Sequence, residues 1–84
     1  MVYYLIVCRS LTYAQRTARV LERVGIPGHI MRAPKSISGE GCSHVVRVAE
    51  RWLVRALEVL NREGLPPKRV YLQGADGDYS EVAL

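Results

Sequence analysis

Cys42 stands at the end of the segment Pro34-Lys35-Ser36-Ile37-Ser38-Gly39-Glu40-Gly41-Cys42-Ser43, directly before the apolar run His44-Val45-Val46-Arg47-Val48. Glycines and small hydroxyl residues fill the approach, so nothing bulky in the near sequence hides the sulfur. Gly41 and Ser43 flank the thiol, Gly39 and Gly41 let the chain turn, and Arg32, Lys35 and His44 supply basic neighbours. Positive charge near a thiol lowers its pKa from about 8.5 and raises the fraction of the nucleophilic thiolate. The chemistry expected is nucleophilic: Cys42 accepts or donates at sulfur, and His44 could act as its base, although a histidine at a strand start more commonly only hydrogen-bonds. Against this stands the ordinary fate of a free cysteine, which is to fill a core as a small inert apolar group. Cys8 fits that second description, because it closes the apolar run Val2–Cys8.

Other chemistries fare worse. Cys42 and His44 make only two soft ligands, whereas a structural zinc site takes four. His29 and Cys8 are the other candidates, and Cys8 is expected to be remote, so no metal and no cofactor is expected. Gly39-Glu40-Gly41 leads into a strand rather than a helix, which removes the helix N-terminus that a phosphate loop relies on. Trp52, Tyr13, Tyr71 and Tyr79 could stack bases, but strand three has no aromatic residue. Tyr3 and Tyr4 must face opposite sides of strand one. Nucleic acid is therefore not the expected partner, and Trp52 and Tyr71 are assigned to the core.

Composition bounds the rest. The 84 residues form one expected domain, 1–84, and a chain of this size has no room for a deep substrate cavity. No apolar stretch nears the ~18 residues of a membrane span, and no leader pattern is read at the start, so a cytoplasmic protein with reduced thiols is expected. The net charge is +4, unevenly spread. The last nine residues hold three of the eight acids and none of the twelve bases, leaving +7 on the first 75. Residues 74–84 read as an acidic C-terminal tail. The basic body suits an acidic partner, although most of its arginines fall on the water faces of two helices.

The elements that must position Cys42 come as a doubled unit. Val2–Cys8 reads as a buried strand. Ser10 or Thr12 can cap the following helix, with Gln15 completing a capping box on Thr12. Ala14, Ala18, Leu21 and Val24 recur at helical spacing with Arg16, Arg19 and Arg23 turned to water. Gly25 and Pro27 end the helix, and Gly28–Arg32 is a second strand. The pattern then repeats: strand His44–Val48, helix Arg51–Arg62 with Leu53, Ala56, Leu57 and Leu60 inward, Gly64 and Pro66 as the stop, and strand Lys68–Gln73. The halves align at an offset of 39, so that Gly25-Ile26-Pro27 matches Gly64-Leu65-Pro66 and Leu21 matches Leu60. A doubled βαβ in this length implies an α+β, ferredoxin-like βαββαβ sandwich: a four-stranded antiparallel sheet with two helices on one face. Strands one and three are expected side by side at its centre and are taken to run parallel. On that reading Cys8 and Cys42 lie at opposite ends of strands about 20 Å long, which argues against a disulfide between them. Gly74–Asp78 is expected near Cys42.

The order of these features resembles the small bacterial selenium/sulfur carrier protein-like domains. The resemblance rests on Tyr4-Leu5-Ile6-Val7 leading to Ser10, and on Val20-Leu21-Glu22-Arg23-Val24-Gly25-Ile26-Pro27. It rests further on Arg32-Ala33-Pro34-Lys35-Ser36-Ile37-Ser38, and on Gly41-Cys42-Ser43 before strand three. Ser43 departs from the glycine typical of that last position. The resemblance implies a carrier: Cys42 takes up sulfur or selenium as a persulfide or perselenide from a donor protein such as a cysteine desulfurase and passes it to an acceptor protein. A carrier of this kind is not a stand-alone enzyme, and it is compatible with a homodimer. Two other readings stay open: a non-catalytic interaction or regulatory module, and a thiol redox sensor using Cys42 without transfer.

Overall fold

The computed structural model describes residues 2–38 and 44–82. β1 (Tyr3–Cys8) leads into α1 (Leu11–Arg23), β2 (His29–Arg32) and a single helical turn, α2 (Lys35–Ser38). β3 (His44–Ala49) runs through a 3-10 turn (Glu50–Trp52) into α3 (Leu53–Arg62), followed by β4 (Arg69–Gln73) and β5 (Tyr79–Glu81). The strands form one antiparallel sheet in the order β2-β3-β1-β4-β5.

Strand alternation divides the apolar residues between two faces. Ile6, Val46, Val48 and Val70 pack with Ala14, Val20 and Leu21 of α1 and with Leu53, Ala56, Val59 and Leu60 of α3. Both long helices therefore share one face. Leu5, Val7 and Val45 point the other way and are covered by Ile37 of α2, Met31, Tyr71 and Tyr79. The second face is thus closed by a third, short helix that carries too few residues to show a helical period in the sequence.

The helix ends are where the doubled sequence becomes doubled geometry. Ser10 is the N-cap of α1, its hydroxyl accepting from the Tyr13 amide at 3.3 Å. Thr12 lies inside the helix, so the capping box expected there is not used. At the other end Gly25 turns to φ +80°, the Ile26 amide donates to the Leu21 carbonyl at 2.9 Å, and the Gly25 amide donates to Glu22 at 3.0 Å. Thirty-nine residues later Gly64 takes φ +74°, with Leu65 donating to Leu60 at 2.8 Å and Gly64 to Asn61 at 3.3 Å. Both are Schellman stops, and both bury the residue after the glycine, Ile26 or Leu65.

Three expectations are corrected. β1 and β3 are antiparallel, with Tyr3 opposite Ala49 and Cys8 opposite His44. The crossover through α1 makes β1 and β2 parallel. β3 returns from β2 and inserts between them, so it opposes both. The sheet has five strands and the described residues hold three helices, so the four-stranded, two-helix ferredoxin-like description is too small. The fifth strand comes from the supposed acidic tail. Asp76 accepts from the Asp78 amide at 3.1 Å, Gly77 turns at φ +89°, and Tyr79–Glu81 folds back on β4, with Tyr71 opposite Glu81. Asp76 serves the hairpin turn, while Asp76, Asp78 and Glu81 all remain exposed. On the helices, Leu57, Ala18 and Val24 are half-buried at the margin of the core, while Thr17 and Val20 take fully buried positions.

Candidate functional site

Cys42, Gly41 and Ser43 lie outside the described residues. The chain on either side of them is defined. Lys35 opens α2 and is exposed; His44 opens β3 and is half-buried. β3 pairs with β2 on one side and β1 on the other, so Arg32, His44 and Cys8 form one row across three strands. Residues directly opposite share a sheet face, with Cβ atoms about 4.5–5.5 Å apart. His44 is therefore a cross-strand neighbour of Cys8 as well as a near neighbour in sequence of Cys42.

This row removes the premise on which the thiols were expected to be apart, while Cys42 itself lies outside the described residues. The argument that Cys8 lies a strand's length from Cys42 required parallel strands. In the antiparallel sheet the chain enters β3 at the Cys8 end of β1, and two residues of chain reach at most about 7 Å beyond His44. Distance no longer argues against a bond between the two cysteines. The Gly74–Asp78 turn is at the other end, because Gln73 stands opposite Tyr3. Pro66, Pro67 and Lys68 take its expected place, with the Lys68 amide donating to the Val7 carbonyl at 3.4 Å.

Cys8 itself is only 6 % exposed and is a thiol, not part of a disulfide. Its sulfur lies 3.9 Å from the Thr17 hydroxyl and 3.7 Å from the Ile6 carbonyl. It borders an open cleft of about 840 Å³ lined also by Arg9, Tyr13, Thr17, Pro66 and Lys68. The Arg9 and Arg16 guanidiniums sit over the Tyr13 ring, 5.6 and 5.8 Å from its centroid. Arg9, Arg32 and Lys68 thus stand at the Cys8–His44 end of the sheet, and Lys35 opens α2 three residues after Arg32. Thr17 and the Cys8–His44 pairing escaped the sequence reading. The strand order was the signal that would have found them: a β3 inserted between two parallel strands must oppose both.

Trp52 packs against the main core and Tyr71 against the second apolar cluster, both half-buried, in the roles expected of them. Tyr4 joins the main core, while Tyr3 carries the Arg47 guanidinium over its ring at 4.4 Å. Among the described residues no helix is long and apolar enough to cross a membrane.

A five-stranded antiparallel sheet with both long helices on one face defines a small α+β domain. The family model described as "Putative Se/S carrier protein-like" matches residues 3–72, and the chain belongs to that family. Among curated proteins and among solved structures, none matches the chain.

Proposed function

We propose that the chain carries sulfur or selenium on Cys42 as a persulfide or perselenide. The observation that carries this reading is the family match over residues 3–72, a span that includes the one cysteine placed in a glycine-rich segment. The basic residues Arg32 and Lys35, close to Cys42 in sequence, support it by favouring a thiolate. In the transfer step the Cys42 thiolate attacks the outer sulfur of a donor persulfide. A sulfur–sulfur bond forms to Cys42 as the donor's own bond breaks, and the donor cysteine leaves as a thiolate with the bonding pair. No electrons enter or leave the pair of proteins. Handing the atom on to an acceptor thiolate is the same step in reverse roles. The donor would be a protein such as a cysteine desulfurase, the acceptor a second protein, and the setting the cytoplasm, where thiols stay reduced.

Intact-mass measurement after incubation with a desulfurase and cysteine tests this. Wild type and Cys8→Ser should gain the mass of one sulfur atom and lose it on mild reduction; Cys42→Ser should gain nothing. A wild type that stays unloaded across desulfurases and selenium donors would overturn the carrier reading. If Cys42 then proves sensitive to mild oxidants, the redox-sensor reading takes its place, and if it does not, the interaction-module reading does.

A further inference from the structure

At the end of the sheet away from His44, arginines from three elements border one open cleft. Arg19 of α1, Arg47 of β3 and Arg51 of the 3-10 turn line a cleft of about 530 Å³, joined by His29 at the start of β2. Tyr3 and Trp52 form aromatic walls of the same cleft. The Arg47 guanidinium lies 4.4 Å from the Tyr3 centroid and that of Arg51 lies 5.5 Å from Trp52. Each ring attracts the guanidinium beside it, and the guanidinium keeps N–H donors for an acceptor. Among the described residues none of the three arginines has an ion-pair partner, and Glu22 is the one carboxylate on the lining. The cleft is therefore left with about two uncompensated positive charges beside flat apolar surface. Its volume falls in the ~300–1,000 Å³ range of small-molecule sites.

The geometry points to a binding site for a phosphate monoester of a planar heterocycle, the mononucleotide class. A phosphate monoester near pH 7 is close to a dianion, matching the excess charge, and its oxygens suit the two-pronged donor edge of arginine. A heterocycle suits the same lining, where it can stack on the outer side of the Arg47 and Arg51 guanidiniums that cover the Tyr3 and Trp52 rings. A nucleic-acid strand fits less well, because the open sheet face that would stack its bases is closed by Ile37, Met31 and Tyr79 over Leu5 and Val45. The site is at the opposite end of β1 from Cys8 and His44. Tyr3 and Cys8 are five residues apart on β1, about 17 Å. The ligand would act as an effector or as part of a partner's substrate, not on the sulfur directly.

Trp52 is the one tryptophan in the chain, so its indole N–H gives a single reporter within the cleft. The test is an NMR titration of the full chain with adenosine monophosphate, and separately with inorganic phosphate and with adenosine. The nucleotide should shift the Trp52 indole and the backbone amides of 28–29 and 47–51 saturably, binding about tenfold or more tightly than either fragment. Arg47→Gln with Arg51→Gln should weaken it about tenfold, and Arg19→Gln, on the exposed face of α1, should weaken it without touching either stack. Arg62→Gln, on α3 and away from the cleft, should leave it unchanged. No saturable shift at millimolar nucleotide would overturn the proposal. Equal affinity for inorganic phosphate would do the same, reducing the site to an anion patch. So would a single-stranded oligonucleotide whose tighter binding Arg62→Gln weakens as much as the double variant does.

Discussion

Cys8 illustrates how a thiol is silenced by its neighbours. It closes a central strand, faces the helices, and is packed among Thr17, the Ile6 carbonyl and the main core with 6 % of its surface exposed. A thiol in that setting reacts slowly because little of its surface is open to reagents. Brief alkylation of the native protein should therefore label Cys42 well before Cys8, as read by peptide mapping; Cys8 labelling first would reject Cys42 as the nucleophile. Ser10 shows the same dependence on setting at lower stakes. Its hydroxyl satisfies one amide at the start of α1, and Ser10→Ala should lower stability by about 1 kcal/mol in chemical denaturation. The sequence left Ser10 and Thr12 as rival caps because either oxygen can reach an amide three residues on. The choice fell to Ser10, whose extended backbone is set by the exit of the chain from β1.

At the scale of elements, the 39-residue offset is visible in atoms. Leu21 and Leu60 are both fully buried, and each accepts, through its carbonyl, the amide two residues beyond the helix cap. Leu60→Ala should cost about 2–5 kcal/mol, and Leu57→Ala clearly less, because Leu57 only borders the core. Equal costs in denaturant titrations would mean that the inward face of α3 is rotated from the one described. Gly64→Ala meets no atom within 4 Å, so its cost comes from backbone strain at φ +74° alone, about 1–2 kcal/mol. Hydrophobic period and glycine stops made α1, α3 and their ends legible beforehand. α2 was not legible, because one turn has no period, and β5 was hidden by its charge. Arg69 adds a tie at that edge: a hydrogen bond with Tyr71, helped by the charge of Glu81, holds its guanidinium more firmly protonated than usual.

For the whole molecule, strand order decides which chemistry meets. β1 and β3 lie inside the sheet with partners on both sides, while β5 pairs on one side only and has three residues. Hydrogen exchange should accordingly be slowest at Ile6 and Val46 and fastest among strand amides at 79–81. Uniform protection across the five strands would contradict the edge placement of β5. The same order gives the sheet two unlike ends: one gathers Cys8, His44, Arg32 and Lys68, the other gathers Tyr3, Arg47, Trp52 and the Gly74–Asp78 turn.

Local rules determined the pieces from the sequence alone. Buried strands, two amphipathic helices, their glycine stops and the apolar faces all follow from short-range periodicity and backbone preference, which act within a few residues. Which way β3 runs beside β1 is a long-range fact. It depends on β3 inserting between two strands that a helix crossover has already made parallel, and no residue of β1 or β3 encodes that direction by itself. Only the tertiary structure could therefore set His44 across from Cys8 and draw Arg19, Arg47 and Arg51 around one cleft, since each group joins elements far apart in the chain.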